Sequence, residues 1–144
     1  MHKGNERNYM EYRIRKLQPN TLHNDIIALA EMIPRGTYEG IYAFPRGGLI
    51  IGVYLSHYLG DIPLISTAHQ WFNLENKTQD KTLFVDDLVH TGKTMKVFKS
   101  QGYDTAALFC KEDSPFEPTY YIHKVQKDIW VRFPYETDNE EPNR

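Results

Sequence analysis

The chain has 144 residues, with 17 Lys and Arg against 19 Asp and Glu, so its formal net charge is −2 at pH 7. This length is typical of one compact domain, and 40% apolar residues are enough for a core and argue against intrinsic disorder. The near-zero charge disfavours a protein that mainly neutralises nucleic-acid phosphates, so small molecules are the favoured ligands.

The N-terminal residues are polar and lack the apolar stretch of a secretory signal peptide. No apolar run approaches the roughly 20 residues that a membrane span needs. Cys110 is the only cysteine, so no intrachain disulfide and no cysteine-based zinc cluster can form. We therefore predict a cytoplasmic protein without a membrane or nucleic-acid partner.

Helices and strands are predicted to alternate along the chain. Apolar residues recur at helical spacing in three segments, at 20–33, 49–59 and 91–101. Apolar runs of strand length occur in four, at 40–44, 63–66, 82–85 and 105–110. Strands that alternate with helices and are apolar along their whole length are typical of a parallel sheet covered on both faces. We predict an α/β fold with an open, twisted parallel sheet flanked by helices.

Two segments break this pattern. Residues 67–80 are mostly polar and too many for an ordinary connection, which indicates either a functional lid or a disordered loop. Residues 137–144 are acidic and contain a proline, so they are predicted to form a disordered tail. No repeat or linker divides the chain, and residues 1–144 are predicted to be a single domain.

The segment 82–94 has the strongest chemical signal. Its apolar strand leads to Asp86 and Asp87, and a helix begins shortly afterwards. In open parallel sheets, ligands bind beyond the carboxyl ends of the strands. The helix N-terminus offers unpaired N–H groups, Gly92 lets a phosphate approach the backbone, and Thr91 and Thr94 add hydroxyl donors. We predict a phosphate site here.

Two adjacent carboxylates would repel a phosphate, so they are expected to accept hydrogen bonds from sugar hydroxyls or to hold Mg²⁺. A ribose phosphate fits both features. A Walker A loop would need glycine at position 87, where this chain has Asp87. The remaining alternative is two solvated acids before an ordinary helix cap, and the coincidence of cap, glycine and acid pair after a buried strand disfavours it.

This segment resembles the phosphoribosyl diphosphate (PRPP) motif of type I phosphoribosyltransferases, in which a buried strand leads to two acids and a Thr-Gly-x-Thr turn. The resemblance implies that Asp86 and Asp87 face the ribose hydroxyls and that Asp87 shares a Mg²⁺. It also implies that the 5′-phosphate is held by Thr91, Gly92, Lys93 and Thr94. The likeness extends over about residues 41–136 and implies that family's fold, a small C-terminal hood, and a homodimer or homotetramer.

The chain departs from the family at His90, where a third acid is usual. In purine-specific members that acid lies near N7 of the base and is the proposed proton acceptor. An imidazole can also accept a proton near neutral pH, so His90 is expected to be catalytic together with Asp87. The alternative is that His90 marks a non-catalytic regulator that binds PRPP or a nucleotide.

The segment Pro45-Arg46-Gly47-Gly48 follows the first predicted core strand. Taken alone, it is equally consistent with an ordinary strand-to-helix turn carrying a surface arginine. In the resembled family this is the diphosphate loop, which implies that Arg46, Gly47 and Gly48 bind the leaving diphosphate. A strained or cis peptide is common there, so one is expected near Arg46. Residues 67–80 correspond to the family's flexible loop, which closes over the site.

Lys111 follows the last predicted strand, and Trp130 and Val131 lie in a C-terminal segment similar to the Trp-Ile-x-x-Pro-Trp-Asp/Glu pattern of the short bacterial xanthine-guanine branch. The resemblance implies that Lys111 donates to the purine O6, Trp130 stacks on the ring and the Val131 backbone binds the base edge. A lysine suits a 6-oxopurine and not adenine. The choice among hypoxanthine, guanine and xanthine stays open, and a pyrimidine or adenine is the alternative.

Overall fold

The computed structural model describes residues 11–91 and 93–137. The element order is β1 (Arg13–Lys16), α1 (Pro19–Met32), β2 (Gly40–Ala43), α2 (Gly47–Tyr58), β3 (Leu64–Ile65), α3 (Ala68–Phe72), α4 (Asn76–Asp80), β4 (Thr82–Val89), α5 (Lys93–Ser100), β5 (Thr105–Lys111), β6 (Tyr120–Val125) and β7 (Ile129–Arg132). In this part of the chain no helix combines the length and the apolar composition needed to cross a bilayer. The predicted disordered tail falls almost entirely outside the described residues.

The main sheet has five strands in the order β3-β2-β4-β5-β6, and every neighbouring pair is parallel. All residues of β2 and β5 are buried, which requires cover on both faces of the sheet. The predicted fold class, an open parallel sheet flanked by helices, is confirmed.

Successive residues of the central strands point to opposite faces of the sheet, and each face has its own apolar cluster. Ile41 and Val85 lie on the side covered by α1 and α2. Tyr42 and Phe84 lie on the other side, where the Phe84 ring stacks on Phe98 of α5 with centroids 4.1 Å apart. The sheet therefore lies between two layers of helices.

The polar segment 67–80 contains α3 and α4. Trp71 of α3 is only 5% exposed and packs edge-on against Phe84 and Phe98. Because β3 is the edge strand and β4 lies on the far side of β2, this segment must pass β2 and cover the second sheet face. Its length is explained by that crossover, and its closure over a site stays a prediction.

Strand β4 is longer than the predicted strand 82–85 and includes Asp86 and Asp87. It continues because Leu88 and Val89 pair with β5, Leu88 opposite Phe109. The acids therefore lie within a hydrogen-bonded strand and do not follow it. The other predicted bounds differ from the observed ones by one or two residues.

A second, two-stranded parallel sheet pairs β1 with β7, with Ile14 opposite Trp130. Val131 and Phe133 are each 1% exposed and join the apolar cluster on the α1 and α2 side. We call β1, β7 and residues 133–136 the hood. It joins the N-terminal part of the chain to its C-terminal part, and it brings the C-terminal segment against the main sheet.

Candidate functional site

A cavity of about 360 Å³ lies at the carboxyl ends of β2 and β4. This volume is within the about 300–1,000 Å³ usual for small-molecule sites. Its described lining consists of Pro45, Arg46, Gly47, Asp86, Asp87, Leu88, Val89, His90, Thr91, Lys93 and Met95. The cavity therefore joins the Arg-Gly-Gly loop to the start of α5 and to the acid pair, although Arg46 and Asp86 are 40 residues apart in the sequence.

Asp87 is the buried member of the acid pair, at 3% exposure. The hydroxyl of Tyr135 donates a hydrogen bond of 2.6 Å to its Oδ2 atom. Asp86 is half-buried, and its Oδ1 accepts the backbone N–H of Asp87 at 2.8 Å. A buried carboxylate needs such partners, and the Tyr135 contact fixes Asp87 to the hood.

Gly47 and Gly48 are glycines because the loop lies directly against the acid pair. A Cβ atom at Gly47 would be 1.9 Å from Oδ2 of Asp87, and one at Gly48 would be 2.7 Å from the carbonyl oxygen of Val85. No side chain fits at such distances. The Pro45–Arg46 peptide is cis, as expected near Arg46.

His90 directly follows β4, and its imidazole is 17% exposed. Its Nε2 atom lies 3.1 Å from Oδ1 of Asp113, in the loop after β5.

Thr91 and Lys93 are exposed at the start of α5, and Thr94 lies in the first turn of that helix. Gly92 lies outside the described residues.

Lys111 is 3% exposed, and its ammonium donates hydrogen bonds to the carbonyl oxygens of Lys127, at 3.0 Å, and Ile129. Burial lowers its pKa below the usual lysine value, and the carboxylates of Asp113 and Asp128 oppose that shift. Lys111 thus ties the end of β5 to the segment that leads into the hood.

The three residues expected to bind the base are absent from the described lining of the cavity. Trp130 and Val131 lie on β7, where the guanidinium of Arg132 is 4.5 Å from the centroid of the Trp130 ring. Val131 is 1% exposed. The structure therefore groups Lys111, Trp130 and Val131 at the hood, and it groups the acid pair with the Arg-Gly-Gly loop.

Two contacts of the site were not predicted from the sequence. Tyr135 reaches Asp87 from the hood, and Asp113 reaches His90 from the loop after β5. The only signal for Tyr135 is its place in the C-terminal pattern, where the resembled branch has tryptophan. No sequence motif indicates a role for Asp113.

Replacing Lys111 with methionine is expected to lower the free energy of unfolding by about 1–3 kcal/mol, because the two carbonyl groups lose their donor. Methionine has a similar length and keeps the apolar packing. Urea unfolding of the wild type and the variant measures this difference. Lys127→Met is the control, because that side chain is exposed and the substitution leaves the Lys127 carbonyl in place. Equal stability of Lys111→Met and wild type would mean that the contact does not stabilise the hood.

No family model matches the chain. The chain is similar to the xanthine-guanine phosphoribosyltransferase of Nitratidesulfovibrio vulgaris strain DP4, with 30% identity over 88% of each chain. It is also similar to the enzyme of that name from Gluconobacter oxydans, with 31% identity over 81% of this chain and 80% of the relative. Among solved structures, the purine phosphoribosyltransferase of Pyrococcus horikoshii superposes with a TM-score of 0.69 at 30% identity, over 86% of this chain and 95% of that one.

Proposed function

Because the chain belongs to the type I phosphoribosyltransferase family, we propose that it transfers the 5-phosphoribosyl group of PRPP to a 6-oxopurine base. The products are a nucleoside 5′-monophosphate and diphosphate, and the reaction is one of purine salvage. The single observation that carries this proposal is the cavity, which brings the Arg-Gly-Gly loop against the acid pair and the start of α5. The names of the relatives support the choice of a purine.

PRPP would lie across this cavity. Asp86 and Asp87 would accept hydrogen bonds from the ribose hydroxyls, and residues 91–94 would hold the 5′-phosphate at the N-terminus of α5. Arg46 and the backbone N–H group of Gly47 would bind the diphosphate. The N–H of Gly48 donates to the carbonyl of Phe44, so Gly48 would shape the diphosphate loop and not donate to the ligand. The close approach of the glycine loop to Asp87 supports this assignment, because it brings the two ends of the donor to one site.

The residues fit a magnesium ion that is bound together with its substrate. The described part of the chain has no cluster of three or more His, Cys, Asp or Glu side chains that would hold a metal alone. Mg²⁺ is commonly held by one or two carboxylates with substrate oxygens and water, and Asp87 with Asp86 supplies such a pair. When bound, the ion would neutralise part of the charge on the leaving diphosphate.

In the reaction the bond from ribose C1′ to the diphosphate oxygen breaks, and its electron pair leaves with the diphosphate. A bond from C1′ to a ring nitrogen of the base forms, and the base loses its N–H proton. His90 would accept that proton, and Arg46 would stabilise the charge that develops on the diphosphate. Closure of residues 67–80 would keep water from the reacting C1′ atom.

The base would bind at the hood. An ammonium group has three N–H bonds, and the Lys111 ammonium uses two of them on the carbonyls of Lys127 and Ile129. The third would donate to O6 of the purine. The guanidinium of Arg132 covers one face of the Trp130 ring, and the other face of that ring would stack on the base. The Val131 backbone would bind the base edge.

A turnover assay with PRPP, Mg²⁺ and a panel of bases tests this proposal. Hypoxanthine, guanine and xanthine are the candidate acceptors, and adenine and uracil are the matched controls. We expect nucleotide from at least one 6-oxopurine at a rate about 100-fold or more above adenine, because adenine would leave the Lys111 donor facing an amino group. Preferential turnover of adenine or uracil would overturn the 6-oxopurine assignment.

A second candidate function rests on one observation, the imidazole of His90 where the family usually has an acid. A regulator that binds PRPP without turnover would bind it in calorimetry and form no nucleotide from any base. These two results together would show that the protein is a regulator and would overturn its assignment as an enzyme.

A further inference from the structure

We infer that Asp113 is a positioning residue that orients His90 and fixes the ring nitrogen with which His90 accepts the proton of the base. The inference rests on the proposed function, because it assigns a partner to the proposed proton acceptor. Its basis is the contact between the two side chains, which the resemblance to phosphoribosyltransferases does not include.

The topology brings the two residues together. Strands β4 and β5 are parallel neighbours, with Val89 opposite Cys110, so the loops that follow them leave the same edge of the sheet. His90 is the first residue after β4, and Asp113 is the second residue after β5. The distance between His90 Nε2 and Asp113 Oδ1 is 3.1 Å, which is a hydrogen-bond distance.

The chemistry of the two groups determines the tautomer. An ionised carboxylate can only accept hydrogen bonds, so the contact requires a proton on Nε2 of His90. In a neutral imidazole with Nε2 protonated, Nδ1 carries the lone pair. Nδ1 is therefore the atom that would take the proton from the base. In other enzymes too, a carboxylate orients an imidazole that acts as a general base.

Asp113 also links this pair to the residue proposed to bind the base. Its carboxylate is close enough to the Lys111 ammonium to raise the pKa of that lysine, against the effect of burial. His90 lines the cavity, and Lys111 lies under the hood. The loop after β5 would thus set the position of the proton acceptor relative to the O6 donor.

The test uses Asp113→Ala and Asp113→Asn in the full chain, with Glu112→Gln as the control. Glu112 is exposed in the same loop, so its substitution changes the local charge while Asp113 stays in place. Nitrogen-15 NMR of the histidine rings reports the tautomer directly, with a His90→Gln variant to assign the His90 signals among the 6 histidines. Steady-state kinetics with PRPP and the best base from the panel give kcat and KM.

We expect the wild type to show the Nε2-protonated tautomer and Asp113→Ala to show a mixture of both. We expect kcat of Asp113→Ala to fall about 10- to 100-fold, part of the usual effect of general base catalysis, with little change in KM for PRPP. Asp113→Asn keeps an acceptor oxygen and should recover part of that loss. Glu112→Gln should match the wild type.

An unchanged His90 tautomer and an unchanged kcat in Asp113→Ala would overturn the inference while leaving the transferase activity in place. Failure of the wild type to convert any base would instead overturn the proposed function. Circular dichroism of each variant establishes that the fold is retained, as expected for a side chain that is 44% exposed.

Discussion

Replacing Gly47 with alanine is expected to weaken PRPP binding by about 100-fold or more, through the clash that its new methyl group makes with the acid pair. The added Cβ would lie 1.9 Å from Oδ2 and 2.5 Å from Cγ of Asp87, and 2.9 Å from the hydroxyl oxygen of Tyr135. Real Cβ atoms do not approach heavy atoms so closely. Either the Asp87 carboxylate or the loop must therefore move.

Neither side of this contact can move cheaply. Asp87 is 3% exposed, and rotation of its carboxylate would break the hydrogen bond from Tyr135. The loop is held where the N–H of Gly48 donates to the carbonyl of Phe44 at 2.9 Å. Overpacking of this kind typically costs about 1–3 kcal/mol of stability. Movement of either group would also separate the proposed ribose and diphosphate contacts.

Calorimetric titration with PRPP in the presence of MgCl₂ measures this effect, and thermal unfolding measures the loss of stability. Gly40→Ala is the matched control, because a Cβ at that buried position on β2 would come no nearer than 3.8 Å to another atom. We expect Gly40→Ala to bind PRPP like the wild type. Wild-type affinity in Gly47→Ala would exclude this loop from the donor site.

The central strands were predictable because burial on both faces leaves a continuous apolar run. Strands β2, β4 and β5 all have this property. Three strands, β1, β6 and β7, were not predicted, because they lack such an apolar run. All residues of β1 are exposed, most of β6 is half-buried, and β7 has one fully buried residue. Their pairing is decided by tertiary contacts of the hood and the sheet edge, which local sequence patterns do not encode.

The acid pair and the Arg-Gly-Gly loop were predictable as one site for a topological reason. The loop follows β2 and the acid pair lies in the C-terminal half of the neighbouring parallel strand β4, and the carboxyl ends of such strands meet at one edge of the sheet. Tyr135 lies in the C-terminal pattern, but that pattern does not predict its contact with Asp87, and no motif contains Asp113. Only the folded chain identifies these two contacts. Lys111 was predicted to follow its strand and is the last residue of β5. Its two carbonyl partners, Lys127 and Ile129, lie just before β7 and at its first residue, and no motif indicates them.

Replacing Asp87 with asparagine is expected to raise the dissociation constant of PRPP in the presence of Mg²⁺ by about 10- to 150-fold. Asparagine has nearly the same shape, and its amide oxygen can still accept the hydrogen bond from Tyr135. The variant loses the negative charge, and a hydrogen bond to a charged group contributes about 1.5–3 kcal/mol. Because a buried charge is itself unfavourable, the stability of the variant should equal or exceed that of the wild type.

Calorimetry at a series of MgCl₂ concentrations separates the two effects of the Asp87 charge. If Asp87 helps to hold the ion, Asp87→Asn needs more Mg²⁺ than the wild type to reach its tightest PRPP binding. Asp61→Asn is the matched control, because the Asp61 side chain is 85% exposed in the turn after α2, and an asparagine tolerates its positive φ of 55°. Unchanged PRPP affinity in Asp87→Asn would remove the acid from the donor site. A weaker affinity with unchanged Mg²⁺ dependence would leave it as a ribose ligand alone.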